Sequence, residues 1–187
     1  MSEEKKQLCV NLYGGPCCGK STLAADVFSK LKQRGVRAEL VTEFAKDLVW
    51  ENNRCALANQ IYVFGNQYYR MHRINGMEVI VVDSPLLLTS VYDANKFGVL
   101  YEKLRDLAYE SYCTFENMDY FIKRSDELFE EEGRVHKKDD SLILDDRIRD
   151  VLNEYKIKYQ DVYWDSSELI ASDVLMRLYG DVERKIC

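Results

Sequence analysis

The chain has 187 residues, 47% hydrophobic and 31% charged, enough to bury a full core but too few for a second domain, so a single domain spanning 1–187 is expected. A net charge of −6 and a pI near 5.1 exclude a global pull toward nucleic acid, leaving only a local basic path for such a partner. No run approaches a membrane span, and Met1-Ser2-Glu3-Glu4-Lys5-Lys6 is too polar for a signal peptide, so a cytoplasmic protein without membrane contact is expected. Six cysteines without a C-x-x-C pair, beside two histidines, suggest free thiols rather than zinc or disulfides.

Gln7–Tyr13 reads as an apolar strand and Ser21–Gln33 as a helix with Leu23, Val27 and Leu31 inward. Between them stands Gly14-Gly15-Pro16-Cys17-Cys18-Gly19-Lys20-Ser21, which fits G-x-x-x-x-G-K-[ST] in the strand–loop–helix order that the pattern requires. Loops of this kind converge backbone N–H groups on a nucleotide's phosphates, and the following helix adds its dipole. Gly14 through Ser21, together with Thr22, are therefore the nucleotide-binding candidates. Lys20 is predicted to reach the β/γ-phosphates and Ser21 to ligate Mg²⁺. Thiols at a helix N-terminus beside a lysine are favoured as thiolates, which makes Cys17 and Cys18 candidates for the most reactive cysteines; the alternative is that they are buried fillers.

Gly35 stops the helix, and Arg37–Thr42 reads as a second strand ending at Glu43. Ligands of open α/β sheets bind outside the carboxyl ends of the strands, so Glu43 is expected to face the loop's crevice; the alternative is a cap for helix Phe44–Glu51. Ala56–Ile74 is predicted as one longer helix with Ile61, Phe64, Tyr68 and Met71 inward. Gln60, Gln67 and Arg70 run along its shoulder, and Gln67 and Arg70 are candidates for holding a substrate. Glu78–Asp83 has the form of a buried parallel strand closed by a metal-binding acid, Asp83.

Ser84 follows Asp83 where a water-activating glutamate would suit a motor ATPase, and Asn95-Lys96-Phe97-Gly98 lacks the aspartate of a guanine-reading N-K-x-D. Val99–Tyr112 is a helix without a site signal. Asp119–Lys123 is a fourth strand with Arg124 at its end, and the acidic stretch 125–140, containing Arg134, reads as a lid that closes over phosphates. Helix Leu142–Tyr155, strand Tyr159–Trp164 and helix Ser167–Tyr179 complete the chain, the last started by a capping box of Asp165 and Glu168.

Together, Asn11–Pro16, Thr42–Asp47, Phe64–Arg70, Val82–Leu88, Tyr120–Arg124 and Gly133-Arg134 give the chain a resemblance to the small P-loop kinases of the nicotinamide-riboside-kinase-like AAA group, and to phage-encoded members of it in particular. The resemblance implies an α/β three-layer sandwich around a parallel sheet of about five strands, with ATP and Mg²⁺ as cofactors. It also implies phosphoryl transfer to a nucleoside, a nucleotide or a related small acceptor. The chain departs from the group in Cys17 and Cys18 within the loop, and in His136, which stands where glutamine is common.

In this reading Lys20, Arg124 and Arg134 neutralise the transferring phosphoryl, Ser21 and Asp83 hold the metal, and either Glu43 or Asp83 is the base. A hydroxymethylated base in DNA is the rival acceptor, with Lys46, Arg70 and Arg73 as its basic path. A regulatory NTPase without an acceptor is the alternative of another class.

Overall fold

The computed structural model describes residues 6–92, 98–124 and 138–180. Five strands, β1 (Leu8–Tyr13), β2 (Ala38–Val41), β3 (Val79–Val82), β4 (Glu116–Ile122) and β5 (Gln160–Val162), form one sheet in the order β2-β3-β1-β4-β5. Every pairing is parallel. β1 is buried along its whole length, as a central strand covered on both faces must be, which is why it reads as a continuous apolar run rather than as an alternation.

Side chains still alternate between the two faces. Val10 and Leu12 of β1 join Val79 and Val81 against α1 (Lys20–Gln33) and α8 (Ser167–Tyr179), through Leu23, Val27, Leu31, Ile170 and Val174. Cys9, Ile80 and Val82 face the opposite way, onto Phe64 and Met71 of α4 (Gln60–His72) and Leu104 and Ala108 of α6 (Val99–Tyr112). Tyr13 and Phe121 on that side meet Leu144, Ile148 and Leu152 of α7 (Lys138–Glu154). The result is the expected helix–sheet–helix sandwich with five parallel strands.

Register brings the chemistry to one edge. Val82 lies level with both Asn11 and Val41, and Tyr13 lies level with Phe121. The residues that follow each strand, Gly14, Glu43, Asp83 and Arg124, are therefore delivered to the carboxyl end of the sheet. At the far end of α1 the N–H of Val36 bonds to Leu31 (3.0 Å) and that of Gly35 to Lys32 (3.0 Å), with Gly35 at φ 78°, so the predicted stop is a Schellman turn.

Four features differ from expectation. The single helix predicted over 56–74 is two, α3 (Arg54–Ala58) and α4. Asn59 breaks it by taking an extended backbone, and its side chain accepts from the N–H of Tyr62 at 3.2 Å. In α4, Gln67 takes a buried place, whereas Ile61, expected inward, is 48% exposed. α7 begins at Lys138 rather than Leu142, so the helix takes in residues 138–140; residues 125–137, with Arg134 and His136, lie outside the described residues. α8 is entered through Ser166, with no side-chain capping bond. The carboxylate of Glu168 is drawn to Arg34, the residue that follows α1, instead of back to its own helix, so the capping box of Asp165 and Glu168 is not formed.

Candidate functional site

The loop 14–19 turns sharply into α1. Gly19, at φ 92°, is the N-cap, and no side chain caps the helix, so the first-turn N–H groups are left for another acceptor. Cys17 adopts φ 70°, a left-handed conformation that costs a residue with a Cβ on the order of 1 kcal/mol. Cys18 is buried, with its Sγ 3.9 Å from Lys20 Nζ, whereas Cys17 and Pro16 are half-buried and Thr22 is exposed on the first turn. Among the described residues Cys9, Cys17, Cys18, Cys55 and Cys113 are free thiols, as expected.

Lys20 Nζ donates to the carbonyls of Gly14 (2.7 Å) and Gly15 (2.8 Å). Burial works against its charge, but Cys18, Tyr92, Asp83 and Glu43 outweigh that and hold its pKa above the ordinary value. The ammonium is thus fixed in its charged form among the acids of the crevice.

Ser21 Oγ donates to Asp83 Oδ2 at 2.7 Å. Asp83 is only 4% exposed, and its other oxygen, Oδ1, is buried without a hydrogen-bond partner among the described residues. A buried carboxylate oxygen left unsatisfied is costly unless something binds it, and two hard oxygens side by side suit a divalent cation such as Mg²⁺.

Glu43 occupies the N-cap position of α2 (Phe44–Trp50), yet its side chain makes no capping bond. Burial raises its carboxyl pKa, Lys20 pulls it back, and Asp83 pushes it up again. A carboxyl held at the crevice with raised proton affinity is suited to accept a proton.

The corner that carries Glu43 is braced from α4. Gln67 Oε1 accepts from the N–H of Phe44 at 2.9 Å, while its Nε2 is buried without a partner. Arg70 pairs with Asp47, donates to Thr42 Oγ1 (3.1 Å) and lies over the Phe44 ring at 5.0 Å. Both candidate substrate residues therefore contact the segment around Glu43. A cleft of about 640 Å³ runs outside β2, lined by Thr42, Phe44, Tyr69, Arg70 and Arg73; it contains no loop residue and is separate from the phosphate site.

Arg124 Nε donates to Asp145 Oδ2 at 2.5 Å, and Asp145 Oδ1 accepts from the N–H of Gly15 at 2.5 Å. Asp145 is absent from the sequence reading. Its one signal was position: it stands three residues before Ile148, on the inward face of α7, where an acid needs a partner. Tyr92 is the other omission. Its phenol is half-buried, with a pKa raised by burial, lowered by Lys20 and raised by Glu43.

Residues 9–168 match the family described as AAA domain. Among solved structures, a NadR protein in complex with NAD and AMP-PNP superposes with a TM-score of 0.68 at 14% identity, covering 93% of this chain and 50% of that one. A YorR protein from Bacillus subtilis in complex with phosphorylated GDP does so with a TM-score of 0.59 at 16% identity, covering 91% and 95%. This chain thus spans about half the length of the NadR structure, and at these identities the likeness is one of fold. No curated protein matches by sequence.

Proposed function

The chain belongs to the AAA domain family, and from that premise we propose that it is a kinase that transfers a phosphoryl group from ATP to a hydroxyl of a nucleoside, a nucleotide or a related small acceptor. The observation that carries this reading is Lys20, bonded to the loop carbonyls of Gly14 and Gly15, standing near Glu43 and Asp83 at the carboxyl end of the sheet. Phosphoryl transfer needs mainly positioning and charge neutralisation, together with a base for the attacking hydroxyl.

Lys20 would leave the carbonyls of Gly14 and Gly15 for the phosphates, and the open N–H groups at the start of α1 would add to their binding. Ser21 and Asp83 would hold Mg²⁺, which supplies positive charge at the phosphates. Glu43 would take the acceptor's proton; Asp83, already bonded to Ser21, is the less available base. Arg124, and Arg134 from the segment outside the described residues, would add positive charge to the transferring group. Ser84 after Asp83 supports an acceptor hydroxyl over water, since no glutamate stands there to activate water.

The test is incubation with labelled ATP and Mg²⁺ and a panel of nucleosides, monophosphates and DNA carrying hydroxymethylated bases. Label in a small acceptor is the expected result. Label in DNA would move the protein to the rival acceptor, a hydroxymethylated base, and free phosphate alone would make it an NTPase.

A further inference from the structure

We infer that Asp145 is a positioning residue of the phosphate site, a role that rests on the kinase reading: its carboxylate joins the loop after β1, the end of β4 and α7, and through that joint sets the aim of Arg124. Each part of the joint is a short contact. Oδ1 accepts from the N–H of Gly15 and Oδ2 from Arg124 Nε, both at 2.5 Å. Arg124 Nη2 reaches the carbonyl of Ser141, one turn earlier on α7, at 3.3 Å.

The packing leaves no slack. A Cβ on Gly15 would lie 2.8 Å from Arg124 Nη2 and 2.9 Å from both Asp145 Oδ1 and the Ser141 carbonyl, so glycine here is a requirement of close approach. The guanidinium therefore lies close against the phosphate loop at Gly15. Its side chain is 14% exposed and that of Asp145 12%, which places the pair away from the screening that weakens surface ion pairs.

The fork is incompletely used. Arg124 Nε and Nη2 are clamped, but Nη1 is buried without a hydrogen-bond partner among the described residues. Guanidinium donors are matched to anionic oxygens, and a buried cationic N–H with no acceptor carries a desolvation penalty that a phosphate oxygen would relieve. Asp145 and the Ser141 carbonyl thus hold two of the three guanidinium nitrogens on the protein and leave the third for the ligand. Its own oxygens are spent on Gly15 and Arg124, so it acts through Arg124 and not on the substrate.

The test is a double-mutant cycle on the full chain, read by equilibrium binding of a fluorescent ATP analogue and by thermal melting. Asp145→Asn keeps the shape and one carbonyl acceptor but loses the charge that clamps Arg124. It should weaken ATP binding roughly 10- to 100-fold, as losses of supporting hydrogen bonds around a ligand site do. In an Arg124→Ala background the same substitution should then cost less than about 2-fold. Should Arg124→Ala not fold, Arg124→Met, apolar and nearly as long, takes its place. Equal losses in both backgrounds would mean that Asp145 merely holds the fold, and would overturn the inference. Lys20→Ala separates the two levels of argument. If it leaves ATP binding intact, the phosphate-site reading fails; if it removes binding while Asp145→Asn does not, only the role of Asp145 fails.

Discussion

Two buried carboxyls on strands flanking the central one have opposite surroundings. Asp119 lies within β4, level with Asn11, and both its oxygens are occupied: Tyr112 OH donates to Oδ2 at 2.7 Å and Asn11 Nδ2 to Oδ1 at 3.1 Å. Asp83 lies one residue beyond the end of β3 and is as deeply buried, yet Oδ1 has no partner and a lysine stands close by. The first is a closed polar network inside a core. The second is an open valence at a crevice, and the difference separates an acid that serves the fold from one that awaits a ligand.

Substitutions at the open end should change rates and spare the fold. Lys20→Ala has the largest expected effect, with phosphoryl transfer reduced below a few per cent of wild type and the melting temperature nearly unchanged, because the ammonium holds no part of the core. An unfolded variant would erase the contrast, since Lys20 would then be a core residue like Asp119.

Glu43→Gln should slow turnover roughly 10²- to 10⁴-fold with little change in ATP affinity, the range for loss of a general base. It should also alter the pH profile. Glu43 must be ionised to act and its pKa is raised, so the wild-type rate should fall as pH drops through that raised value, and the variant should lack this acid limb. A rate restored by excess Mg²⁺ would instead put Glu43 in the metal's shell and join it to Asp83.

Asp119→Asn should do the reverse, leaving transfer intact and changing stability. Burial lifts the Asp119 carboxyl from the ordinary 3.8 to about 6, while Tyr112 and Asn11 pull it down. The unfolded chain releases the proton first. The stability that the protonated group contributes is therefore whole below about pH 4 and is lost as pH rises through about 6. The amide cannot ionise, so between pH 4 and 7 the variant should gain on wild type by up to about 3 kcal/mol in denaturant melts. A gap independent of pH would show that Asp119 stays neutral or stays charged throughout.

The parts of the site legible in sequence are those whose signal is local. The loop spells its own backbone demands; Asp83 follows an apolar run directly and Glu43 stands at the end of the second strand, so finding the strand finds the acid. Asp145 carries no such mark, because its meaning lies in an N–H group 130 residues away. Among the elements, β1 and β3 were found because burial on both faces leaves largely apolar runs. The break at Asn59 was missed because an apolar stripe runs across it, and a single asparagine ends the helix through a side-chain bond that periodicity does not register. The capping box failed for a related reason: the sequence around Asp165 and Glu168 says nothing of Arg34, which takes Glu168.

The order of the strands also sets the order in which the molecule can be made. β1 is the first element of the chain, but its partners are residues 79–82 and 116–121, and the phosphate loop behind it is not pinned until Asp145 arrives. At a ribosome's usual pace roughly 5–20 s separate the synthesis of Tyr13 from that of Phe121. For that time Leu-Cys-Val-Asn-Leu-Tyr is a mostly apolar strand lacking one or both of its neighbours, the situation in which long-range sheets fold slowly and stick to other chains. The strand most deeply buried in the finished protein is thus the one longest exposed in the nascent one, and the yield of soluble protein should depend more on the rate of translation through residue 122 than on the stability of the folded state.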